Sequence, residues 1–417
     1  MRILILLMSL ALAAGPQPAR ADDADALALA DSAPVKAKTA SDWRWYAEAA
    51  FGQATPRNGG SATRNERLSL DLQLDKSFAP DWRAIVSDRL DVNWPAQGAD
   101  QRAIHTIREA YLSWQAQADQ IVDLGRVNAR NGVALGYNPT DFFRDGAIRS
   151  VVSVDPSSLK TNRQGSVMLR GQTLWSGASL TALYAPKLAE QPNGAGFNPD
   201  WGATNGQNRW LVSASRQFTE NLNPQGLLFG AQGQSPQLGL NLTTLIGDAT
   251  VVFLEWSGGR SRTQLSQALN AVDDTAFRHR LATGATYTSE DKFSLTLEYD
   301  YNGAALDDAT WSALMRGSPL VYGQYRIWVQ NAQELPSQQA AFLYATWQDA
   351  VVKHLDLNAM LRFNVADHSH LSWLEARYHW DRADLALQWQ FNNGSVGSEF
   401  GATTQQKAWQ ALVRYYF

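Results

Sequence analysis

The residues whose side chains are best suited to binding a solute are arginines that alternate with apolar side chains, in a chain with 28 Arg and only 8 Lys. A guanidinium group keeps its charge, and its planar fork binds a carboxylate or a phosphate through two parallel hydrogen bonds. Arg67, Arg362 and Arg414 lie on the polar side of such alternating stretches. Similar positions are occupied by Arg83, Arg89, Arg326 and Arg377. This pattern predicts a path for anions.

Acidic residues on the same polar faces offer a second explanation of the arginines. Asp71, Asp91, Glu298 and Asp356 could pair with them and brace the structure without selecting a solute. The chain has 40 acidic residues and a net charge of -4, which argues against a strong electrostatic field that attracts anions. The absence of a basic excess also predicts that nucleic acid is not a partner. Both explanations of the arginines remain open.

The most distinctive connector is the stretch 129–164, which holds a second group of charged residues. Its turn signals are Asn131-Gly132 and Asn138-Pro139. A loop of this length is usually functional or disordered, and this one is too apolar and aromatic for disorder. We predict that it folds inward and narrows a pore; the alternative is an external loop packed on its neighbours. The candidate pore-lining or solute-binding residues are Arg67, Asp71, Arg126, Arg130, Asp141, Arg144, Arg149, Arg362 and Arg414.

Groups suited to catalysis or metal binding are sparse. The chain has no cysteine, which excludes disulfides and thiol-ligated metals. His368 and His370 lie together in a short turn, but no third ligand follows at a usable spacing. Neither G-x-S-x-G nor a phosphate-binding glycine loop is present. We predict no catalytic residue, no metal and no cofactor, and therefore a protein that is not an enzyme.

The elements that position these side chains are strands, because the dominant pattern is alternation with period 2. In RLSLDLQLD (67–75) every second residue is leucine. Equivalent stretches are FSLTLEYDY (293–301), LDLNAMLRF (355–363), LALQWQF (385–391) and WQALVRYYF (409–417), with weaker ones near 43–54, 82–94, 104–115, 121–128, 166–175, 178–185, 208–218, 236–246, 249–257, 279–289, 322–331, 338–349 and 371–380. Together they predict roughly 18 strands of about 10 residues, the length that crosses a bilayer in a tilted barrel.

We therefore predict an all-β fold, a closed antiparallel transmembrane β-barrel of about 14–18 strands over 43–417. Closure follows because every backbone polar group in a bilayer must be paired internally. The 16 Trp, 13 Tyr and 15 Phe suit aromatic girdles. A soluble β-sandwich, propeller or solenoid is the alternative explanation of the alternation. Short turns and long connectors alternate except between 218 and 336, where either 226–233 is an extra strand or 307–317 is a helical insertion.

The two ends of the chain indicate its destination. Residues 1–21 have the positive start, short apolar run and small-x-small site of a secretory signal peptide, and 22–42 is predicted to be a flexible periplasmic segment. The last strand ends in an aromatic residue and looks like the signal that outer-membrane barrels present to their assembly machinery. Its predicted assembly residues are Trp409, Val413, Tyr415 and Phe417. We expect a location in the bacterial outer membrane, with outer-membrane lipid and the barrel assembly machinery as partners.

A closed barrel of 14–18 strands leaves a lumen wider than side chains alone can fill. We therefore predict an outer-membrane channel, either a porin or an exporter, that passes hydrophilic solutes. Small anions, saccharides and anionic polysaccharide are the candidate solutes. The alternatives are an outer-membrane partner of a secretion or envelope-assembly complex and, less favoured, a barrel hydrolase.

One stretch also resembles a known family. LGRVNARNGVALGYNPTDFF (124–143), a strand ending in Gly-Arg that runs into a Gly-rich loop with Asn-Pro-x-Asp, is similar to the early segment of alginate-export-type and related porin-like barrels. The resemblance covers about 20 residues. It implies a monomeric barrel whose arginine-lined lumen conducts an anionic polysaccharide or small anions. This chain departs from that pattern in its many acidic residues on the polar faces.

Overall fold

The computed structural model describes residues 42–95 and 102–417. The predicted signal peptide (1–21) and nearly all of the predicted periplasmic segment (22–42) lie outside the described residues, so both stay predictions. The described residues form 18 strands and five short helices. The strands are β1 (Trp43–Pro56), β2 (Thr63–Ala79), β3 (Trp82–Trp94), β4 (Ala103–Gln117), β5 (Gln120–Val127), β6 (Ser166–Trp175), β7 (Ala178–Ala185), β8 (Arg209–Arg216), β9 (Gln225–Ala231), β10 (Gln237–Ile246), β11 (Thr250–Ser261), β12 (Ala276–Thr288), β13 (Phe293–Asn302), β14 (Gln339–Trp347), β15 (Leu355–Asn364), β16 (His370–His379), β17 (Ala383–Asn393) and β18 (Gln405–Tyr416). The helices are α1 (Pro156–Thr161), α2 (Trp201–Thr204), α3 (Gln264–Ala268), α4 (Asp308–Met315) and α5 (Pro319–Ala332).

The strands form one closed antiparallel sheet. Each strand pairs with its neighbours in sequence, and β1 also pairs with β18. In that last ladder Ala49 lies opposite Val413. The predicted all-β closed antiparallel barrel is confirmed, with 18 strands at the upper limit of the predicted range.

The alternation in sequence corresponds to an apolar outside and a polar inside. On β2, the outward Leu68 and Leu70 are 54% and 46% exposed, whereas the intervening Arg67, Ser69 and Asp71 are buried. Successive side chains of a strand point to opposite faces, so a strict alternation of leucine and polar residues produces two chemically different surfaces. The outer surface of the barrel is therefore mainly apolar.

The predicted strand at 322–331 is wrong, because these residues lie in helix α5. Pro319 occupies the first turn of that helix, where its missing N–H costs nothing, and Ser318 precedes it. The buried Tyr325 and Val329 are four residues apart, which is helical spacing. The aromatic and β-branched residues of this stretch suggested a strand, but their period is that of a helix. Arg326, predicted to lie on a strand, is consequently helical.

Both alternatives that the sequence offered for the region between 218 and 336, an extra strand and a helical insertion, are present. β9 is the extra strand foreseen near 226–233, and α4 is the helical insertion foreseen near 307–317. The predicted number of strands was near the correct one because the missing β9 offset the false strand at 322–331. With β9 in place, the short connectors 118–119, 176–177 and 247–249 lie at one end of the barrel, here called the short-turn end. The long connectors lie at the other, here called the long-loop end.

Helices α3, α4 and α5 form a small apolar cluster at the long-loop end. Trp311 and Tyr325 are fully buried in it, with Leu306 and Val329 beside them. The Trp311 Nε1–H donates to Asp367 Oδ2 at 2.9 Å, so the cluster is tied to the β15–β16 connector. No helix among the described residues is long and apolar enough to cross a membrane.

The C-terminal residues close the barrel. Trp409, Val413 and Tyr415 are exposed on the outer face of β18. The Phe417 ring stacks on Trp45 of β1, with ring centroids 3.7 Å apart and planes within 4°. The aromatic terminus therefore contacts the first strand. Whether it also serves as an assembly signal stays a prediction.

Candidate functional site

The connector between β5 and β6 runs inside the barrel; its residues 129–164 are here called the inner segment. Four successive backbone N–H groups, from Val133 to Gly136, face two glutamates of the opposite wall. Glu255 on β11 accepts from Val133 and, at 2.6 Å, from Ala134. Glu298 on β13 accepts from Leu135 at 2.6 Å and from Gly136 at 2.9 Å. Each buried carboxylate thus satisfies two amides that would otherwise be unpaired.

The other side of the inner segment is bonded to the strands on either side of the closure. Arg67 on β2 and Gln410 on β18 both donate to the Val152 carbonyl at 3.3 Å. Tyr344 on β14 donates through its hydroxyl to Asp155 Oδ1 at 2.7 Å. Because these partners come from strands all around the barrel and face inward, the inner segment crosses the lumen.

Apolar packing holds the start of the inner segment against a third part of the wall. The Phe142 ring stacks on Phe229 of β9, with centroids 4.6 Å apart. Phe143 meets the same ring edge-on and joins a buried cluster with Met168 and Leu211. The missed strand β9 is therefore part of the surface that positions the inner segment.

Charged groups connect the inner segment to the segment that follows α5. Arg144 donates to Glu334 Oε1 at 2.5 Å, and the Tyr137 hydroxyl donates to Glu334 Oε2 at 2.7 Å. Burial favours the neutral form of Glu334, yet Arg144 and Arg280 hold the pKa of this carboxyl below its ordinary value. Within the inner segment, Asp141 pairs with Arg163. The predicted residues Asp141 and Arg144 therefore bond to protein groups.

The wall formed by β1, β2, β3 and β18 carries an interleaved network of acids and arginines. Glu48 on β1 accepts from Arg67, Arg89 and Arg414, each at 2.9 Å. Arg89 also donates to Asp91 at 2.8 Å. Arg67 and Arg414 thus have acidic partners, as the bracing explanation of the arginines requires.

The same network continues to β4 through Asp71. Arg108 binds this carboxylate through both terminal nitrogens, at 2.6 and 2.8 Å, and the Tyr46 hydroxyl donates to it at 2.9 Å. Asp71 and Arg108 are each only 1% exposed. A doubly hydrogen-bonded pair at this depth is rigid and satisfied, so Asp71 is held in place by the wall.

Arg126 and Arg149 bond to a second inward connector, residues 186–208. Arg126 donates to the Pro199 carbonyl at 3.0 Å, and Arg149 donates to the Asn198 carbonyl at 2.7 Å. Burial lowers the pKa of Arg149, and the carboxylate of Asp200, 3.6 Å away, opposes this shift. These two predicted residues fix the path of a loop.

Two of the predicted arginines differ from the rest. Within the part of the chain that the structure describes, the side chains of Arg130 and Arg362 make no hydrogen bond or salt bridge. Arg130 is exposed at the start of the inner segment, and Arg362 is half-buried on the inner face of β15. Arg130 therefore has a guanidinium that is exposed and makes no bond to any described residue.

Sequence reasoning missed four residues that organise the interior: Glu48, Arg108, Glu255 and Glu334. Arg108 was hidden by a β-bulge, since the β3–β4 register shifts between Ser87 and Asp88 and moves the alternation by one residue. Glu48 and Glu255 were visible as single acids in apolar strands, a signal for a buried partner. Glu334 lies in a connector, and no local pattern marks it.

The remaining candidates have ordinary surroundings. Arg326 on α5 donates to the Tyr322 hydroxyl at 2.7 Å. His370 is bonded to Asn393 at 3.2 Å, and His368 lies in the turn before it. Over residues 42–95 and 102–417, no group of three His, Asp or Glu side chains is placed to hold a metal ion.

No protein-family model matches the chain, and no curated protein gives a significant sequence match. Solved structures do match its fold. OccAB1 from Acinetobacter baumannii is 12% identical with a TM-score of 0.58, over 90% of this chain and 96% of its own. OccK2 (OpdF) from Pseudomonas aeruginosa, solved in complex with glucuronate, is 10% identical with a TM-score of 0.55, over 90% and 97%. The outer membrane protein OpdK of the same species is 8% identical with a TM-score of 0.53, over 90% and 99%.

At these identities the likeness establishes a shared fold. The barrel of this chain therefore has the architecture of OccAB1, OccK2 and OpdK along nearly its whole length. The resemblance to alginate-export-type barrels stays a prediction.

Proposed function

We propose that this protein is an outer-membrane channel that passes small hydrophilic solutes through the barrel lumen. The observation that carries the proposal is the inner segment: a closed 18-stranded barrel with an apolar exterior has a polar interior, and a bonded segment crosses it. Such a barrel is too wide for side chains alone to fill. A segment held across its lumen narrows the passage.

The membrane location rests on the outer surface. Outward leucines and aromatic residues remain exposed on every side of the barrel, and hydrocarbon is the solvent in which such a surface is stable. The fold shared with the outer membrane protein OpdK supports the same location. Outer-membrane lipid and the barrel assembly machinery are the partners that this location requires. A cleaved signal peptide over 1–21 is part of the proposal.

We infer a weak preference for anions. Most interior arginines are paired with acids, which cancels their field, whereas Arg130 is free and exposed. The permanent positive charge of this guanidinium attracts carboxylates. The bound glucuronate in OccK2, which has the same fold, supports a small carboxylate as a test solute.

Reconstitution into a planar bilayer tests the proposal. We expect discrete conductance steps and, in a KCl gradient, a reversal potential that indicates a modest preference for chloride. Arg130→Gln should reduce that preference. Arg64→Gln is the matched control, because Arg64 lies on the outward face of β2 with Leu68. A protein that inserts but never conducts would overturn the channel, and equal selectivity of the two variants would overturn the role of Arg130.

A further inference from the structure

A cleft in the inner wall lies next to the inner segment, at the long-loop end. Its cavity volume is about 10 Å³, close to the space that one water molecule needs, and it is partly open. Asp300 on β13, Ala340 and Phe342 on β14 and Arg362 on β15 form its floor, and the β17–β18 connector covers it with Glu399 and Phe400. This volume is below that of a site for a drug-sized ligand, so it suits a small head group.

Asp300 points an unsatisfied carboxylate into this cleft. The residue is only 1% exposed, and its Oδ1 accepts no hydrogen bond from any described residue. Ala340 lies directly opposite Asp300 in the β13–β14 ladder, and its methyl group is too short to fill the space or to donate. A buried carboxyl oxygen without a donor is costly, so this position favours a ligand that brings N–H groups.

The charges around the cleft leave it short of cations. Arg362 is the common positive neighbour of Glu298, Asp300 and Glu399, and it makes no salt bridge within 4.0 Å to any of them. The oxygens of Glu298 are already used by the inner segment. Burial raises the pKa of the Glu399 carboxyl above its ordinary value in spite of Arg362. Lys160 is a further positive neighbour of Glu298, and Arg326 is one of Glu399, so among the described residues Asp300 alone depends on Arg362 by itself.

The lining decides which cation fits. The described residues provide no set of three acids or histidines that could hold a metal ion. Phe342 and Phe400 instead place aromatic rings beside Asp300, and an aromatic face next to a carboxylate favours an organic cation. A primary ammonium group supplies three N–H donors in a volume close to that of one water molecule.

We propose that this cleft binds the primary ammonium group of a solute in the lumen, with Asp300 as its main acceptor. The inference goes beyond a channel with a weak anion preference, because it adds a cation subsite to the same lumen. It rests on the barrel interior and does not require conduction.

Calorimetric titration of the folded protein in detergent with n-butylammonium chloride tests the subsite. We expect saturable binding that is weakened at least tenfold by Asp300→Asn, which keeps the shape and replaces one acceptor oxygen by an N–H donor. Ala340→Leu should weaken binding similarly by filling the space. Tetramethylammonium has the same charge but no N–H group, so it should bind far more weakly. Equal binding of both cations, or no change in Asp300→Asn, would show that only general attraction to acids is involved.

Arg362→Gln separates the ammonium subsite from an anion site. Loss of the competing positive charge should strengthen n-butylammonium binding, whereas weaker binding would contradict the proposal. Retained heat-modifiable migration on gels shows that each variant is folded. Calorimetric titration does not require ion conduction, so the two proposals can fail separately. A protein that binds n-butylammonium but does not conduct would contradict the channel and support the subsite. A protein that conducts but does not bind n-butylammonium would contradict the subsite and support the channel.

Discussion

The Glu298 carboxylate on β13 accepts a hydrogen bond from the Leu135 N–H of the inner segment at 2.6 Å, across the lumen from the strand that precedes that segment. With Glu255, it holds four consecutive amides. Removing both charges in Glu255→Gln plus Glu298→Gln should loosen the inner segment, since a hydrogen bond to a charged group contributes about 1.5–3 kcal/mol. We expect larger and noisier single-channel conductance.

The control for this double variant is Asp356→Asn. Asp356 is also an acid of the inner wall, but its partners are His379 and the Asp349 amide, away from the inner segment. Its conductance should equal that of the native protein. An unchanged conductance in the glutamate variant would mean that the inner segment is held by packing alone.

Gly136 provides a steric test of the same contact. A Cβ atom at this position would lie 2.6 Å from the Phe342 side chain, whereas one at Gly226 would meet no atom within 4 Å. Gly136→Ala should therefore displace the inner segment from β14 and cost about 1–3 kcal/mol, the usual effect of overpacking. We expect altered conductance and a lower urea midpoint. Gly226→Ala should behave like the native protein, and equal behaviour of the two variants would contradict the contact.

Two arginines on β3 should differ sharply in their contribution to stability. Arg89 is 2% exposed and bonds Glu48 and Asp91, whereas the Arg83–Asp75 pair is solvent-exposed, with 54% of the Arg83 side chain accessible. Arg89→Ala leaves buried acids undercompensated and should lower the free energy of unfolding by about 3–5 kcal/mol. Arg83→Ala should cost at most about 1 kcal/mol. Urea unfolding in lipid vesicles measures both, and similar losses would show that the interior network is hydrated.

The bond between Glu334 and Arg144 should depend on pH. Because the folded-state pKa of Glu334 is depressed, its stabilising contribution is present above the unfolded value of about 4.3 and is lost as the pH falls through the lower folded value. Native channels should therefore become noisier in acid below about pH 4. Glu334→Gln should be noisy at neutral pH and show a smaller acid-dependent change. A native-like acid response in this variant would assign the effect to another group.

Phe417 has two possible roles that kinetics can separate. Phe417→Ala removes both the stack on Trp45 and the predicted assembly signal, whereas Trp45→Ala removes only the stack. If the terminus is recognised, Phe417→Ala should insert more slowly than Trp45→Ala in vesicles that contain the assembly machinery. Both variants should fold alike in detergent, where no machinery is present. Equal insertion rates would leave only the structural role.

Local sequence was sufficient for most strands and for their two faces. The alternation of leucine with Arg67, Ser69 and Asp71 requires no distant information, because successive side chains of any strand point to opposite sides. The C-terminal strand was placed for the same reason. Elements were predicted wrongly or missed where the local sequence pattern was ambiguous. The apolar residues of 322–331 fit a helix as well as a strand, and β9 is only Gln225–Ala231.

The partners of the charged residues were decided only by the closed barrel. Asp71 meets Arg108 because a bulge shifts the β3–β4 register, and Glu298 meets Leu135 because the inner segment turns into the lumen. The sequence by itself therefore determined which side chains are polar and face inward. The tertiary structure decided which polar side chains are paired and which, like Arg130 and Asp300, have hydrogen-bonding groups without a partner among the described residues. The physical reason is the separation along the chain of the groups that interact. Strand periodicity is set by neighbouring residues, whereas hydrogen-bond satisfaction depends on groups that closure of the sheet brings together.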